Sequence, residues 1–133
     1  MGNNLRGVIN VKATMSAFAL SFYGKIETAY AMSGEAVQAA EVMDAHTKGL
    51  AYSCHGSVCF FKGDFELACR FLTEAFELCC KSGHLLWREW GDFWLANTYY
   101  FTQCQKEAIK FYTRMISSMN DKEHSLSWLP VFE

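Results

Sequence analysis

A pattern of small and aromatic residues recurs in this chain at a spacing of forty positions. The first copy consists of Gly56, Phe60, Phe61, Ala68, Phe71, Leu72 and Ala75. The second copy aligns with the first without insertions or deletions. It consists of Ala96, Tyr100, Phe101, Ala108, Phe111, Tyr112 and Met115. A period of this length on helical segments predicts stacked helical hairpins, each of which buries its apolar face against its neighbours. The predicted fold class is therefore all-α.

Glycines separate the apolar-periodic runs, because the only proline is Pro130. We expect Gly63 and Gly83 each to follow a helix end in the left-handed conformation. Asp64 is then the N-cap of a helix over about 65–81. Its spacing predicts a buried face made of Phe65, Ala68, Cys69, Leu72, Ala75, Phe76 and Cys79. Its exposed face is expected to carry Glu66, Arg70, Thr73, Glu74 and Glu77.

The chain has 133 residues, which fits one domain. We expect three hairpins, over about 11–45, 47–82 and 85–118, followed by an apolar tail over 121–133. In the third hairpin Gln103 stands where the second has a glycine, so a non-glycine side chain has to accept a positive φ there.

The first hairpin has two alternative turns. Aligning Gly24 with Gly63 gives a spacing of 39 residues, whereas the spacing from Gly34 to Gly63 is only 29. We favour the turn at Gly34, because Ser33-Gly34-Glu35 is a stronger breaker and capping sequence. This choice predicts a long first helix over about 11–32 and a short second helix over about 36–45.

Composition and charge limit the function classes. The net charge of −2 comes from interspersed acids and bases and supplies no basic stripe, so nucleic acid is not an expected partner. Charges interrupt every apolar stretch before it is long enough to span a bilayer, so no membrane association is predicted. The polar start lacks a signal-peptide pattern and the six cysteines lie mostly in helical patterns, which favours free thiols in the cytoplasm.

Cysteine and histidine suggest neither a metal site nor a thiol enzyme. The chain has no CxxC pair, and the spacing of His55 and Cys59 is not that of a zinc module. Cys54 and His55 are neighbours, so on a helix their side chains point about 100° apart. We predict no metal, no cofactor and no catalytic residue.

A set of small and bulky residues falls at matching places of the three helix pairs. The second hairpin has Tyr52, His55, Gly56, Cys59, Gly63, Phe65, Ala68, Leu72 and Ala75. The third has Leu95, Ala96, Tyr99, Ala108 and Tyr112, and the first has Ile26, Tyr30, Gly34 and Ala39. Over roughly residues 20–118 these residues resemble the tetratricopeptide repeat (TPR). The resemblance implies a right-handed superhelix of about three antiparallel hairpins that serves protein–protein interaction. It also implies that His55 is at a packing position, as a hydrogen-bonded interior imidazole.

The long period, with Lys81-Ser82-Gly83-His84 between hairpins, is similar to the extended TPR variant of bacterial signalling ATPases and transcriptional regulators. The strings Tyr30-Ala31-Met32-Ser33-Gly34-Glu35-Ala36, Tyr52-Ser53-Cys54-His55-Gly56 and Ser127-Trp128-Leu129-Pro130 resemble the repeat region of nucleotide-cyclase-like bacterial proteins. No phosphate-binding G-x-x-x-x-G-K-[ST] string occurs in the chain. The resemblance therefore implies the interaction segment of a larger signalling or regulatory protein.

In the TPR family the first helix of each hairpin lines the binding groove. The corresponding residues here are Leu50, Ser53, Ser57, Phe60, Phe61, Trp90, Phe93, Trp94, Asn97 and Tyr100. The resemblance implies that an apolar helix or extended segment binds there, with Trp90, Trp94 and Tyr100 as anchors. Only Asn97 suits a clamp for a C-terminal carboxylate, so we do not expect binding of chaperone tails.

The same aromatic residues are compatible with two further roles. In the first, the chain's own tail or a second copy covers them, which would make a homodimer through the groove or the tail. Five of the last eight residues are large and apolar, namely Leu126, Trp128, Leu129, Val131 and Phe132. In the second, the chain is a regulatory domain that binds a small apolar ligand among Trp90, Trp94 and Phe60.

Overall fold

A computed structural model describes residues 2–121, and the side chains of residues 4–121. Within this range the chain forms six α-helices and no strand: Gly2–Thr14 (α1), Ile26–Ala40 (α2), Ala45–Lys62 (α3), Phe65–Ser82 (α4), Leu85–Phe101 (α5) and Gln105–Met119 (α6). A π-helical segment, Met15–Leu20, directly continues α1. The predicted all-α fold is confirmed, and the predicted tail beyond Asp121 lies outside the described residues.

The helices pack as consecutive pairs, α1 with α2, α3 with α4 and α5 with α6. In addition α1 contacts α3, α3 contacts α5, and α2 and α4 each pack on the first helix of the following pair. Helix α3 is therefore surrounded by neighbours, and its residues from Gly49 to Cys59 are all buried. Small side chains and glycines in α3 allow this close approach of helices on several sides.

Helix α4 has the predicted caps and faces. Asp64 accepts a hydrogen bond from the Leu67 backbone N–H, and Gly63 and Gly83 have φ of 91° and 72°. The predicted apolar face is buried or half-buried, with Ala68, Leu72 and Ala75 fully inaccessible to solvent. All five polar residues assigned to the outer face are exposed or half-exposed.

The preferred turn of the first hairpin is wrong. Gly34 lies inside α2, and the chain turns at Gly24, which has a φ of 79°. Helix α2 continues through Gly34 because its buried stripe of Ala29, Ser33, Ala36, Val37 and Ala40 continues on both sides of that residue. Without a side chain, Gly34 faces the His55 ring, whose Cε1 would lie 3.8 Å from an added Cβ. The alternative alignment of Gly24 with Gly63 is the correct one.

The turn between α5 and α6 has the strain expected at Gln103, whose φ is 65°. Replacing this exposed residue by glycine is expected to raise the free energy of unfolding by about 0.5–1 kcal/mol, because relief of left-handed strain exceeds the entropy that glycine adds to the unfolded chain. Urea unfolding measures the change. A Gln103→Ala variant keeps a Cβ and serves as the control, and an equal gain in both variants would show that left-handed strain is not the cause.

Candidate functional site

Three of the predicted groove residues lie in the interior. Leu50 belongs to the apolar core between the first and second helix pairs. Ser53 and Ser57 are fully buried; Ser53 Oγ donates to the Trp87 carbonyl at 3.2 Å, and Ser57 Oγ donates to the Cys54 carbonyl at 2.8 Å. The assignment of these three residues to a groove is corrected, because α1 and α5 cover α3 where the family alignment expects an open face.

The other predicted residues lie on or next to a continuous aromatic region. Trp94 is mostly buried, Phe60, Phe61, Trp90 and Asn97 are half-buried, and Phe93 and Tyr100 are exposed. The Asn97 amide is already used within the chain: its Nδ2 donates to the Phe93 carbonyl and its Oδ1 accepts from Tyr112. Asn97 is thus held in place by internal bonds.

The aromatic region extends onto the first helix pair through residues that the sequence did not single out. Phe18, in the π-helical segment, lies 4.6 Å from the Trp90 ring centroid, and Phe22 lies 5.2 Å from that of Phe61. Phe61 in turn lies 4.8 Å from Trp94. We call the connected rings the aromatic surface; its members are Phe18, Phe22, Phe60, Phe61, Trp90, Phe93, Trp94, Tyr100 and Phe101.

An open pocket of about 470 Å³ lies within this region. Its walls are Phe22, Glu89, Trp90, Phe93, Trp94, Met115 and Met119. These residues come from the turn that follows the π-helical segment, from α5 and from the last two turns of α6. Volume and lining both match those of sites that take small molecules or single large side chains. We refer to it as the apolar pocket.

The two acidic side chains at or near the apolar pocket are almost inaccessible to solvent. Glu89 and Asp92 are each 1% exposed. Asp92 accepts two hydrogen bonds from Arg114, at 2.9 Å from Nε and 2.6 Å from Nη2. Burial raises the Asp92 pKa, and the Arg114 guanidinium opposes that rise. Apart from Glu89, the lining of the pocket consists of aromatic rings and thioethers.

The two tryptophans of the pocket are held by ring packing. The indole Nε1 atoms of Trp90 and Trp94 are buried and have no hydrogen-bond partner among the described residues. Trp94 has ring centroids of Phe60, Phe61 and Phe93 within 5.2 Å. Edge-on and tilted contacts of this kind fix the orientation of the indoles, so the floor of the pocket is preformed.

His55 is the interior imidazole that the sequence predicts. Its Nδ1 lies 2.7 Å from Ser33 Oγ, with which it shares a hydrogen bond, and its ring packs against Tyr30 and Phe71. Burial lowers the pKa of His55 to about 4. The ring is neutral at pH 7 and joins α2 to α3 through Ser33.

The lowered pKa of His55 predicts a loss of stability in mild acid. The unfolded chain takes up this proton near pH 6.5 and the folded chain only near pH 4, so the stabilising contribution is complete above pH 6.5 and is lost as the pH falls. At pH 5 the loss is about 2 kcal/mol. We expect the difference in unfolding free energy between wild type and His55→Gln to shrink by that amount from pH 7 to pH 5. A constant difference over this range would show that His55 is not desolvated.

The buried cysteines Cys54, Cys59 and Cys79 are suited to packing, whereas Cys80 and Cys104 are exposed. All six are free, and burial raises the pKa of Cys54, Cys59 and Cys79, which suppresses their reactive thiolate forms. No group of three or more metal-ligating side chains comes together among residues 4–121. No helix in the described part of the chain has the length and apolar character needed to cross a membrane.

No family model, curated protein or solved structure matches the chain. The aromatic surface and the apolar pocket are therefore the features that bear on function.

Proposed function

We propose that this chain is a protein–protein interaction module: a TPR-like superhelical array whose aromatic surface binds an apolar or aromatic segment of another protein. The segment is a helix or an extended peptide that inserts one large side chain into the apolar pocket. The module acts without cofactor or catalysis, as part of a larger cytoplasmic signalling or regulatory protein of the kind that the sequence resembles.

The observation that carries this proposal is the exposure of large aromatic side chains around a preformed cavity. Phe22 is 59% exposed and Tyr100 58% exposed, and both lie at the ends of a contiguous ring network. Contiguous apolar area of this kind on a folded domain is typical of interaction sites. Aromatic side chains held rigidly around a central pocket are also the usual composition of binding hot spots.

The packing order of the helices supports the array. Each pair contacts the next through its first helix, and the turn inside each pair places one residue in the left-handed region, namely Gly24, Gly63 or Gln103. Repetition of one turn geometry between antiparallel helices is what a hairpin repeat requires.

Peptide selection tests the proposal. A displayed library of random peptides is selected on the wild-type chain, and the enriched peptides are titrated against it by calorimetry. We expect peptides with large apolar residues, three or four positions apart for a helical segment and two apart for an extended one, and at least a tenfold loss of affinity in Phe93→Gln. Ile109→Gln, on the exposed face of α6, is the matched control and should bind as wild type does. Enrichment of charged peptides, or equal binding by both variants, would contradict the proposal.

The alternative is a regulatory domain that binds a small apolar ligand, and the size of the apolar pocket favours it specifically. In this case a single molecule occupies the space among Trp90, Trp94, Met115 and Met119. Tryptophan fluorescence titrated with a panel of small aryl and alkyl compounds tests it. A saturable shift that Phe93→Gln abolishes supports the alternative, and an unchanged spectrum throughout the panel counts against it.

A further inference from the structure

The chain leaves its last described helix at a wall of the apolar pocket. Met119 lines the pocket and is also the last residue of α6. The backbone N–H of Asp121 still donates to the Ser118 carbonyl, at 3.2 Å. Arg88 on α5 donates from Nη2 to Ser118 Oγ at 2.6 Å, which ties this end of α6 to α5. The segment 122–133 therefore begins within one helical turn of the pocket.

This segment has the composition of a pocket ligand. Residues 125–132 contain no charged side chain, and most of them are large and apolar. Pro130 has no N–H to donate and disfavours a helical conformation of the residue before it, so the sequence favours an extended backbone. Alternate side chains of an extended segment share a face, which places Leu126, Trp128 and Phe132 together.

The apolar pocket matches such a segment in chemistry. Glu89 and Asp92 are each 1% exposed, so an uncharged segment meets no solvent-exposed charge there. Two of the walls, Phe22 and Phe93, still expose a large part of their rings, 59% and 38%. A covering segment removes this apolar area from water, which is favourable without any new polar contact.

The chain is long enough to bring the segment to the pocket. Trp128 follows Asp121 by seven positions, which an extended backbone spans with about 23 Å. A tether this short gives an effective concentration on the order of 1 mM at the pocket. An intrinsic dissociation constant of about 0.1 mM then fills the pocket in about nine molecules of ten.

We propose that residues 126–132 occupy the apolar pocket of their own chain, with Trp128 inserted between α5 and the end of α6, and compete there with the partner segment. The competition rests on the proposed function, whereas the docking does not depend on it. Binding of the partner requires release of these residues. An interaction that holds them elsewhere therefore raises the affinity for the partner.

Nuclear Overhauser effects in the full chain test the docking without any partner. With ¹³C-methyl-labelled methionine, we expect contacts between the Trp128 ring and the methyl groups of Met115 and Met119 in the wild type. Trp128→Gln should shift the indole N–H signal of Trp90. Val131→Gln is the matched control, because residue 131 lies on the opposite face of an extended segment, and it should leave that signal unchanged.

Calorimetric titration with a peptide selected on the wild type measures the competition. Trp128→Gln is expected to bind the peptide about tenfold more tightly than the wild type does. The reason is that a tethered competitor at ten times its dissociation constant lowers the apparent affinity by about this factor. Val131→Gln should bind the peptide as the wild type does.

Three results would overturn the proposal. The first is a wild type without contacts from Trp128 to the two methionines. The second is contacts that arise only between differently labelled copies in a mixed sample, which would assign the pocket to a second copy. The third is an equal effect of Trp128→Gln and Val131→Gln.

The two measurements also distinguish this inference from the proposed function. Contacts within one chain, in a protein that selects no peptide, would leave the docking standing while the proposed function failed. A wild type that binds a selected peptide at the pocket, with the same affinity as Trp128→Gln, would leave the proposed function standing and contradict the competition.

Discussion

Arg114→Met is expected to lower the free energy of unfolding at pH 7 by about 3–5 kcal/mol. Asp92 is buried beneath the aromatic surface, and Arg114 is the cation that donates two hydrogen bonds to its carboxylate. Methionine keeps only the aliphatic part of the side chain: it removes the guanidinium, whose Cζ lies 3.5 Å from the Phe76 ring centroid and 4.6 Å from that of Phe111, and it leaves the carboxylate without this hydrogen-bonded cation. This loss of unfolding free energy arises because the buried Asp92 carboxylate no longer has an ion-pair partner. Urea unfolding measures the loss.

A double-mutant cycle separates this charge effect from lost packing. We expect Asp92→Leu/Arg114→Met to recover most of the loss, because neither charge of the pair then remains buried. In the single variant the pKa of Asp92 should rise further, so its deficit should shrink as the pH falls and the carboxyl group takes up a proton. A double variant as unstable as the single one would show that the methionine fails to pack.

Gly56→Ala is expected to destabilise the chain by about 3 kcal/mol. An added Cβ would lie 2.6 Å from both Cγ and Cδ2 of Leu72, a residue that is itself fully buried at the contact of α3 and α4. Since Cγ is the branch point of that side chain, a simple rotation of its end does not relieve the clash, and the two helices have to separate.

Gly7→Ala is the matched control for Gly56→Ala, because both glycines lie in helices and only Gly56 has a close neighbour. The added methyl group at Gly7 is expected to stabilise the monomer by about 0.5–1 kcal/mol through helix propensity. Thermal or urea unfolding of both variants at low protein concentration distinguishes the effects. Equal changes of the same sign would show that α3 and α4 leave room for a methyl group between Gly56 and Leu72.

The features that can be predicted correctly from the sequence are local and periodic. Helix α4 has its N-cap, its faces and its terminal glycine within or directly beside eighteen residues, so each signal reinforces the others. The positive φ of Gln103 is also predictable, because the forty-residue repeat aligns it with Gly63.

Packing between distant segments decides the features that the sequence does not reveal. Gly34 has the sequence of a turn but lies in a helix, because its neighbours in α2 pack on α3. The family alignment assigns Leu50, Ser53 and Ser57 to a groove, although their apolar or small side chains equally suit a helix enclosed on several sides.

The apolar pocket is only half predictable. Trp90, Phe93 and Trp94 share one helix and belong to the predicted groove, whereas Phe22 and the pair Met115 and Met119 come from segments more than ninety residues apart along the chain. One sequence signal could have indicated the segment that contains Phe22. Phe18 and Phe22 are four residues apart and extend the apolar periodicity of the first helix beyond its buried face.

Nuclear magnetic resonance of the ¹⁵N-labelled chain, titrated with a selected apolar peptide, is the most direct test that the aromatic surface is where a partner binds. We expect the indole N–H signal of Trp90 and the backbone signals of Phe22, Phe93 and Met115 to shift together and to saturate. The same titration of Phe93→Gln should leave them nearly unchanged. Shifts confined to the outer faces of α4 and α6, with the signals of the apolar pocket unmoved, would contradict a binding role for this surface.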